Sequence, residues 1–235
     1  MPHTGSVATE ESRFSRRRAT IIKSAAQVFG RHGFHATTLE DIAANLKVTK
    51  ASLYYYFSTK EELLYEVHLL SMHDVLSRLD AARAAYSSPM EQLQEALTQH
   101  LRLLAADYEG AFLLQQEYDL PETYRNEIIS LRDRYEQGVL EIVQEGIRSR
   151  VFRVKDARIA VRMILGGVNW FLRWYRADGR LTADEIAEAY VDFIFYGLLT
   201  SAAVSGVAES EAAVAKSTRR ATASPRPGRT RGSKG

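Results

Sequence analysis

Between Thr49 and Phe57 the chain sets one core-type residue, Leu53, among cationic, small, hydroxylic and aromatic ones: Lys50, Ala51, Ser52, Tyr54, Tyr55 and Tyr56. On a helix of about two turns Leu53 suffices for packing, which leaves the opposite face to other chemistry. Small residues let a backbone come close to a partner. Tyrosine hydroxyls and the N–H groups at a helix start reach phosphate oxygens. The set suits a DNA groove, with Tyr54 on the phosphates and Lys50, Ala51, Ser52 and Tyr55 facing base edges. It also suits an ordinary amphipathic packing surface, and this stretch taken alone leaves both readings open.

The elements around it favour the first. Thr38 with Asp41 makes a capping box, and Leu39, Ile42, Ala43 and Leu46 follow at helical spacing. Lys47 and Val48 form a turn, and Thr49 caps the next helix, which gives a helix-turn-helix. Ile22, Ala25, Ala26 and Phe29 are the buried stripe of a preceding helix that stops at Gly33 with Phe34 behind it. After Phe57, Ser58 and Glu61 open a long helix towards Tyr86, with Leu63, Leu64, Val67, Leu70, Val75 and Leu79 on its apolar side. Lys60 lies in that helix's first turn, where a cation opposes the helix dipole. A nearby phosphate would explain it, and so would full solvation. Arg13, Arg16, Arg17 and Arg18 are placed either as a DNA-contacting arm or as a solvated helix start.

The stretch FGRHGFHATTLEDIAANLKVTKASLYYYFSTKEELL resembles the N-terminal domain of the tetracycline-repressor (TetR) family of bacterial regulators. The specific part runs from the Thr-Thr pair through LYYYF to the Lys-Glu-Glu-Leu that opens the next helix. The resemblance implies a dimeric regulator, a repressor, that binds a palindromic double-stranded DNA operator and is released by a small effector. It places DNA contacts at Thr38, Thr49, Lys50, Ala51, Ser52, Tyr54, Tyr55, Tyr56 and Lys60. One departure is Lys47, which stands in the turn where the family usually has Gly, so a lysine is expected there in the left-handed conformation.

Charge follows the same division. Residues 1–60 carry nine basic and four acidic residues, 61–211 carry 15 and 25, and 212–235 carry seven and none. The basic ends match a polyanion, and the acidic middle would repel one. With 235 residues and no cysteine, the chain has neither a disulfide framework nor a thiolate metal site. No apolar leader or membrane-spanning run is present, so a cytoplasmic location is expected.

Beyond Tyr86 the pattern is helical throughout, and the fold class is all-α: a three-helix DNA-binding domain followed by a larger ligand-binding and dimerisation domain. Helices are expected from Pro89 to about Ala106, over about 109–118, over 122–147, from Asp156 to Tyr175, and from a Thr182–Glu185 cap to about Leu199. The boundaries are a disordered N-terminus over 1–12, the DNA-binding domain over 13–60 (motif 38–57), the helical domain over 61–200, and a disordered basic tail over 201–235. The last two long helices are the natural dimer seam, with Gly197 permitting close packing.

GGVNWFLRWYRADGRLTADEIAEAY resembles the TetR subgroup that regulates lipid or aromatic-acid breakdown and often senses acyl-CoA. That implies an acyl-coenzyme A effector held by Asn169, Trp170, Arg173, Trp174, Tyr175 and Arg176, which combine apolar walls with cations. Those aromatics serve equally to close the core and the dimer seam. His68 and His73 are five apart and do not share a helix face, so no metal pair arises there. No phosphate loop, G-x-S-x-G elbow or H-E-x-x-H motif occurs, and no catalytic residue or cofactor is expected. Two alternatives stay open: a helical enzyme or carrier with a basic N-terminus, and a nonspecific DNA-binding protein.

Overall fold

The computed structural model describes residues 4–106 and 119–198, with backbone alone for 4–11. Among the described residues the chain is all-α. Its helices are α1 (Thr4–His32), α2 (Leu39–Asn45), α3 (Lys50–Tyr54), α4 (Lys60–Ala85), α5 (Pro89–Ala106), α6 (Glu122–Arg148), α7 (Ala157–Trp174) and α8 (Ala183–Leu198). None of them is long and apolar enough to cross a membrane. The helix expected over about 109–118 and the basic tail lie outside the described residues.

Local chemistry accounts for most boundaries. Gly33 adopts φ 83°, the left-handed turn that ends α1, and its N–H donates to the Phe29 carbonyl at 2.7 Å. Lys47 also takes the left-handed conformation, at φ 55°. Thr38 and Asp41 form the reciprocal capping box of α2, and Thr182 with Glu185 does the same for α8. Asp156 accepts from the amides of Arg158 and Ile159 to start α7.

Three boundaries differ from expectation. Helix α1 begins at Thr4, so most of the stretch assigned to disorder is helical. Once a helix is anchored, each added residue gains a hydrogen bond without a new nucleation cost. The cap of α4 is Thr59 with Glu62, not Ser58 with Glu61: Thr59 accepts from the Glu62 amide at 3.0 Å, and Glu62 accepts from the Ser58 amide at 2.8 Å. Both pairs fit the pattern by spacing, and the extended Thr59 backbone selects the second. Helix α3 ends at Tyr54, which leaves Tyr55 and Tyr56 in the following turn.

Two cores organise the packing. The first holds Ile21, Ile22, Phe29, Phe34, Ile42, Leu53 and Phe57, and it includes Leu63, Leu64 and Val67 of α4, Leu120 just before α6 and Ile128 within it. The N-terminal unit therefore extends past residue 60 into α4. The second core is built from α4 to α8, and Met72 and Leu131 touch both. Burying each of these large side chains is worth about 1.5–3 kcal/mol, so α4 and α6 tie the two units together through apolar contact. Close approaches depend on two glycines. A Cβ at Gly146 would meet the Phe152 ring, and one at Gly167 would collide with the Tyr190 hydroxyl, which donates to the Ile164 carbonyl at 2.7 Å.

Candidate functional site

Helix α3 is held as a helix-turn-helix requires. Thr49 accepts the Ser52 N–H at 3.1 Å, Leu53 is fully buried, and Ala51 and Tyr54 are exposed. Tyr55 is 73% exposed, and it is the most outward of the three tyrosines. Tyr56 is half-buried, its ring 4.8 Å from that of Phe14, so it braces α1 against the turn and does not present a free face. Thr38 remains exposed, but its hydroxyl is engaged with Asp41 as a cap.

Three cations have protein partners that the sequence did not reveal. The Lys60 ammonium donates to the carbonyls of Phe34, His35 and Thr37 at 3.1, 3.4 and 3.3 Å, and it lies 4.5 Å from the Phe34 ring centroid. Three N–H groups meet three carbonyls, so Lys60 clamps the α1–α2 loop. Arg18 pairs with Glu66 at 2.6 Å and covers the Phe57 ring, which removes it from the expected basic arm. Lys50 is ion-paired with Glu40 of α2 and sits 5.4 Å from the Tyr54 ring centroid. Sequence reasoning had passed over Glu40, although an exposed carboxylate on the helix before the recognition helix is a visible signal. The pair ties the start of α3 to α2.

Beneath this unit lies a cavity of about 560 Å³ with walls from α1, α4, α5, α6 and α7. Its apolar lining includes Leu103, Leu104, Ile128, Leu165 and Leu172, and Lys23, Arg132, Asp74 and Glu136 bring charge. Of the six expected effector residues, Asn169 alone lines it. Trp170 and Trp174 are 63% and 49% exposed, the Arg173 guanidinium lies 6.0 Å from the Trp170 ring, and Arg176 pairs with Asp178 at 3.0 Å. Tyr175 is buried, stacked on Phe171 at 4.5 Å. The reason is that α7 is apolar on two sides. Val161, Ile164, Val168 and Phe171 face the core, while Ile159, Met163, Trp170 and Trp174 form an exposed stripe at helical spacing.

The cavity also carries titratable groups, of which the sequence reading had weighed His68 alone, and that only for metal binding. His68 is almost fully buried, and its imidazole is pushed down to about 4 by burial and by Arg132. His100 Nδ1 lies 3.0 Å from the Tyr135 hydroxyl; burial pushes this imidazole to about 4 as well and raises the phenol. A histidine inside the apolar run of α4, between Val67 and Leu69, was the legible hint.

A short helix-turn-helix on a helical body that encloses a cavity defines a class: transcriptional regulators that bind DNA. Residues 21–67 match the family of bacterial regulatory proteins, tetR family, and residues 86–198 match a tetracyclin repressor-like C-terminal domain. The chain belongs to the TetR family. It is 26% identical over 185 residues to the HTH-type transcriptional repressor KstR2 of Mycobacterium tuberculosis, covering 77% of this chain and 92% of that one. The TetR-family transcriptional regulator PfmR from Thermus thermophilus superposes with TM-score 0.71 at 35% identity, covering 77% of this chain and 99% of that one. AibR, solved in complex with isovaleryl coenzyme A and operator DNA, superposes with TM-score 0.68 at 26% identity, over 76% of this chain and 98% of AibR.

Proposed function

We propose that the protein is a dimeric repressor whose α3 reads a palindromic operator and whose DNA complex is dissolved by an acyl-coenzyme A bound in the cavity. One observation carries this reading. The cavity wall is shared between the DNA-binding unit and the body: α1 gives Lys23 and Gln27, α4 gives His68, Leu70, Ser71, Met72, Asp74 and Val75, and α5, α6 and α7 give the rest. A ligand there touches both sides of the joint, so its occupancy biases the position of α1 and α4 and hence the spacing of two recognition helices. Base contacts fall to Lys50, Ala51, Ser52 and Tyr55, and phosphate contacts to Tyr54 and the Thr49 end of α3.

The acyl-pantetheine arm suits a cavity of this size, within the usual range of about 300–1,000 Å³ for small-molecule sites. Lys23 and Arg132 are placed for the coenzyme's phosphates. The complex of AibR with isovaleryl coenzyme A supports the effector class. As a regulator the protein has no catalytic step of its own, and it works where the chromosome is, in the cytoplasm. Sites selected from a random DNA pool should yield one palindrome, bound about 10³-fold or more above nonspecific sequence at fixed salt. Titrating that complex with acetyl-, isovaleryl-, hexanoyl- and palmitoyl-CoA should release the DNA with at least one of them. No release and no binding heat with any would remove the acyl-CoA effector and leave the regulator.

A further inference from the structure

Uncharged hydrogen-bonding side chains reach the cavity wall from four helices, His68 and Ser71 from α4, His100 from α5, Tyr135 from α6 and Asn169 from α7, beside the charged Asp74, Arg132 and Glu136. His68 is 1% exposed, and its Nε2 has no hydrogen-bond partner. A leucine or methionine would fill that position without leaving a buried polar atom unpaired, which is destabilising in the free protein. A side chain of this kind at a ligand cavity is explained when a ligand completes it. The neighbouring His100–Tyr135 pair reinforces the polarity. Whichever of the two donates, the Tyr135 oxygen keeps a lone pair for a further partner. Both imidazoles are neutral near pH 7, and a neutral ring offers one donor and one acceptor. That pairing matches a hydroxyl or a ketone better than an anion.

We propose that the effector's acyl group carries a neutral oxygen, a hydroxyl or keto group on its chain or ring, which His68 hydrogen-bonds while Tyr135, His100 and Asn169 line the same polar wall. This rests on the acyl-CoA reading above and narrows it to oxygenated acyl groups. An unsubstituted chain still packs against Leu103, Leu104, Leu165 and Leu172, but it offers His68 Nε2 no oxygen of its own. Sites built to hydrogen-bond a ligand oxygen discriminate strongly against the analogue that lacks it.

The test is calorimetry on the full chain with matched thioesters: hexanoyl-CoA against 3-hydroxyhexanoyl- and 3-oxohexanoyl-CoA, and cyclohexanecarbonyl-CoA against its ring-hydroxylated form. At least one oxygenated member should bind about tenfold or more tighter than its plain partner and release operator DNA at a correspondingly lower concentration. In His68→Leu the ratio should fall to about one, with the plain thioester gaining affinity. His68→Gln keeps a donor and an acceptor and should retain most of the preference. Equal affinities within both wild-type sets overturn this inference alone and need no variant to fold. Absence of binding by every thioester overturns both it and the reading beneath it.

Discussion

Replacing Lys60 by Met keeps the aliphatic stem against Phe34 and deletes the three N–H donors that hold the α1–α2 loop. The expected cost is about 2 kcal/mol of folding stability, read from urea unfolding, because charge-assisted bonds are lost and loop carbonyls lose their donors. The salt slope of operator binding should stay unchanged, since the ammonium is committed to the protein; a slope smaller by about one unit would return Lys60 to the phosphates. The two cavity histidines have a separate signature. Their folded values, about 4, lie below the unfolded value of 6.5, so the unfolded chain binds more protons as pH falls between the two. Stability should be fully present above about pH 6.5 and decline towards pH 4, by about 2 kcal/mol for each histidine at about pH 5. His68→Gln should remove roughly half of that loss. An unfolding midpoint that is flat from pH 7 to 5 would mean that both rings are solvated.

At the scale of elements, α4 and α6 join the two cores, so coupling between the cavity and α3 is expected to cross them. Tyr65 of α4 stacks on Tyr124 of α6 at 4.3 Å, and its hydroxyl donates to Glu127 at 2.7 Å. His35 in the α1–α2 loop meets Asp119 just before α6 at 2.9 Å. Loosening this joint should cut the coupling free energy more than the affinity of either site. Tyr124→Ala should therefore shrink the ratio of operator Kd with and without saturating effector by about fivefold, while each ligand alone binds within about threefold of wild type. An undiminished ratio would route the coupling elsewhere. The caps of α2, α3, α7 and α8 and the α2–α3 turn were legible because caps and amphipathic stripes are set by neighbours three or four residues apart. What was not legible depends on partners far along the chain. Lys60 finds carbonyls 23–26 residues away, and Arg18 finds Glu66 48 residues away. The aromatics of α7 were recognisable as a functional face, but periodicity does not say whether that face meets a ligand or a second chain.

For the whole molecule, that face decides the assembly. Ile159, Met163, Trp170 and Trp174 of α7 lie exposed, as do Phe193 and Tyr196 of α8, with Phe193 78% and Met163 74% accessible. Gly166 and Gly197, on the same two helices, have nothing within 4 Å of where a Cβ would stand among the described residues, leaving room for another helix to approach. A lone folded chain rarely keeps so many large apolar side chains exposed on two helices, and two copies related by a two-fold axis would bury them in a four-helix seam. The same symmetry is what the DNA demands, since one α3 of five residues touches too few bases to select a site and half-sites repeat one helical turn apart. Substituting Met163→Glu and Phe193→Glu together places charges at the centre of the seam without touching either core. The variant should run as a monomer by light scattering at micromolar concentration, keep its helical circular dichroism, and lose operator affinity by about 100-fold or more, because the second half-site is no longer bound intramolecularly. A dimer that survives both charges would move the seam off α7 and α8, and unchanged operator affinity in a proven monomer would overturn the requirement for two recognition helices.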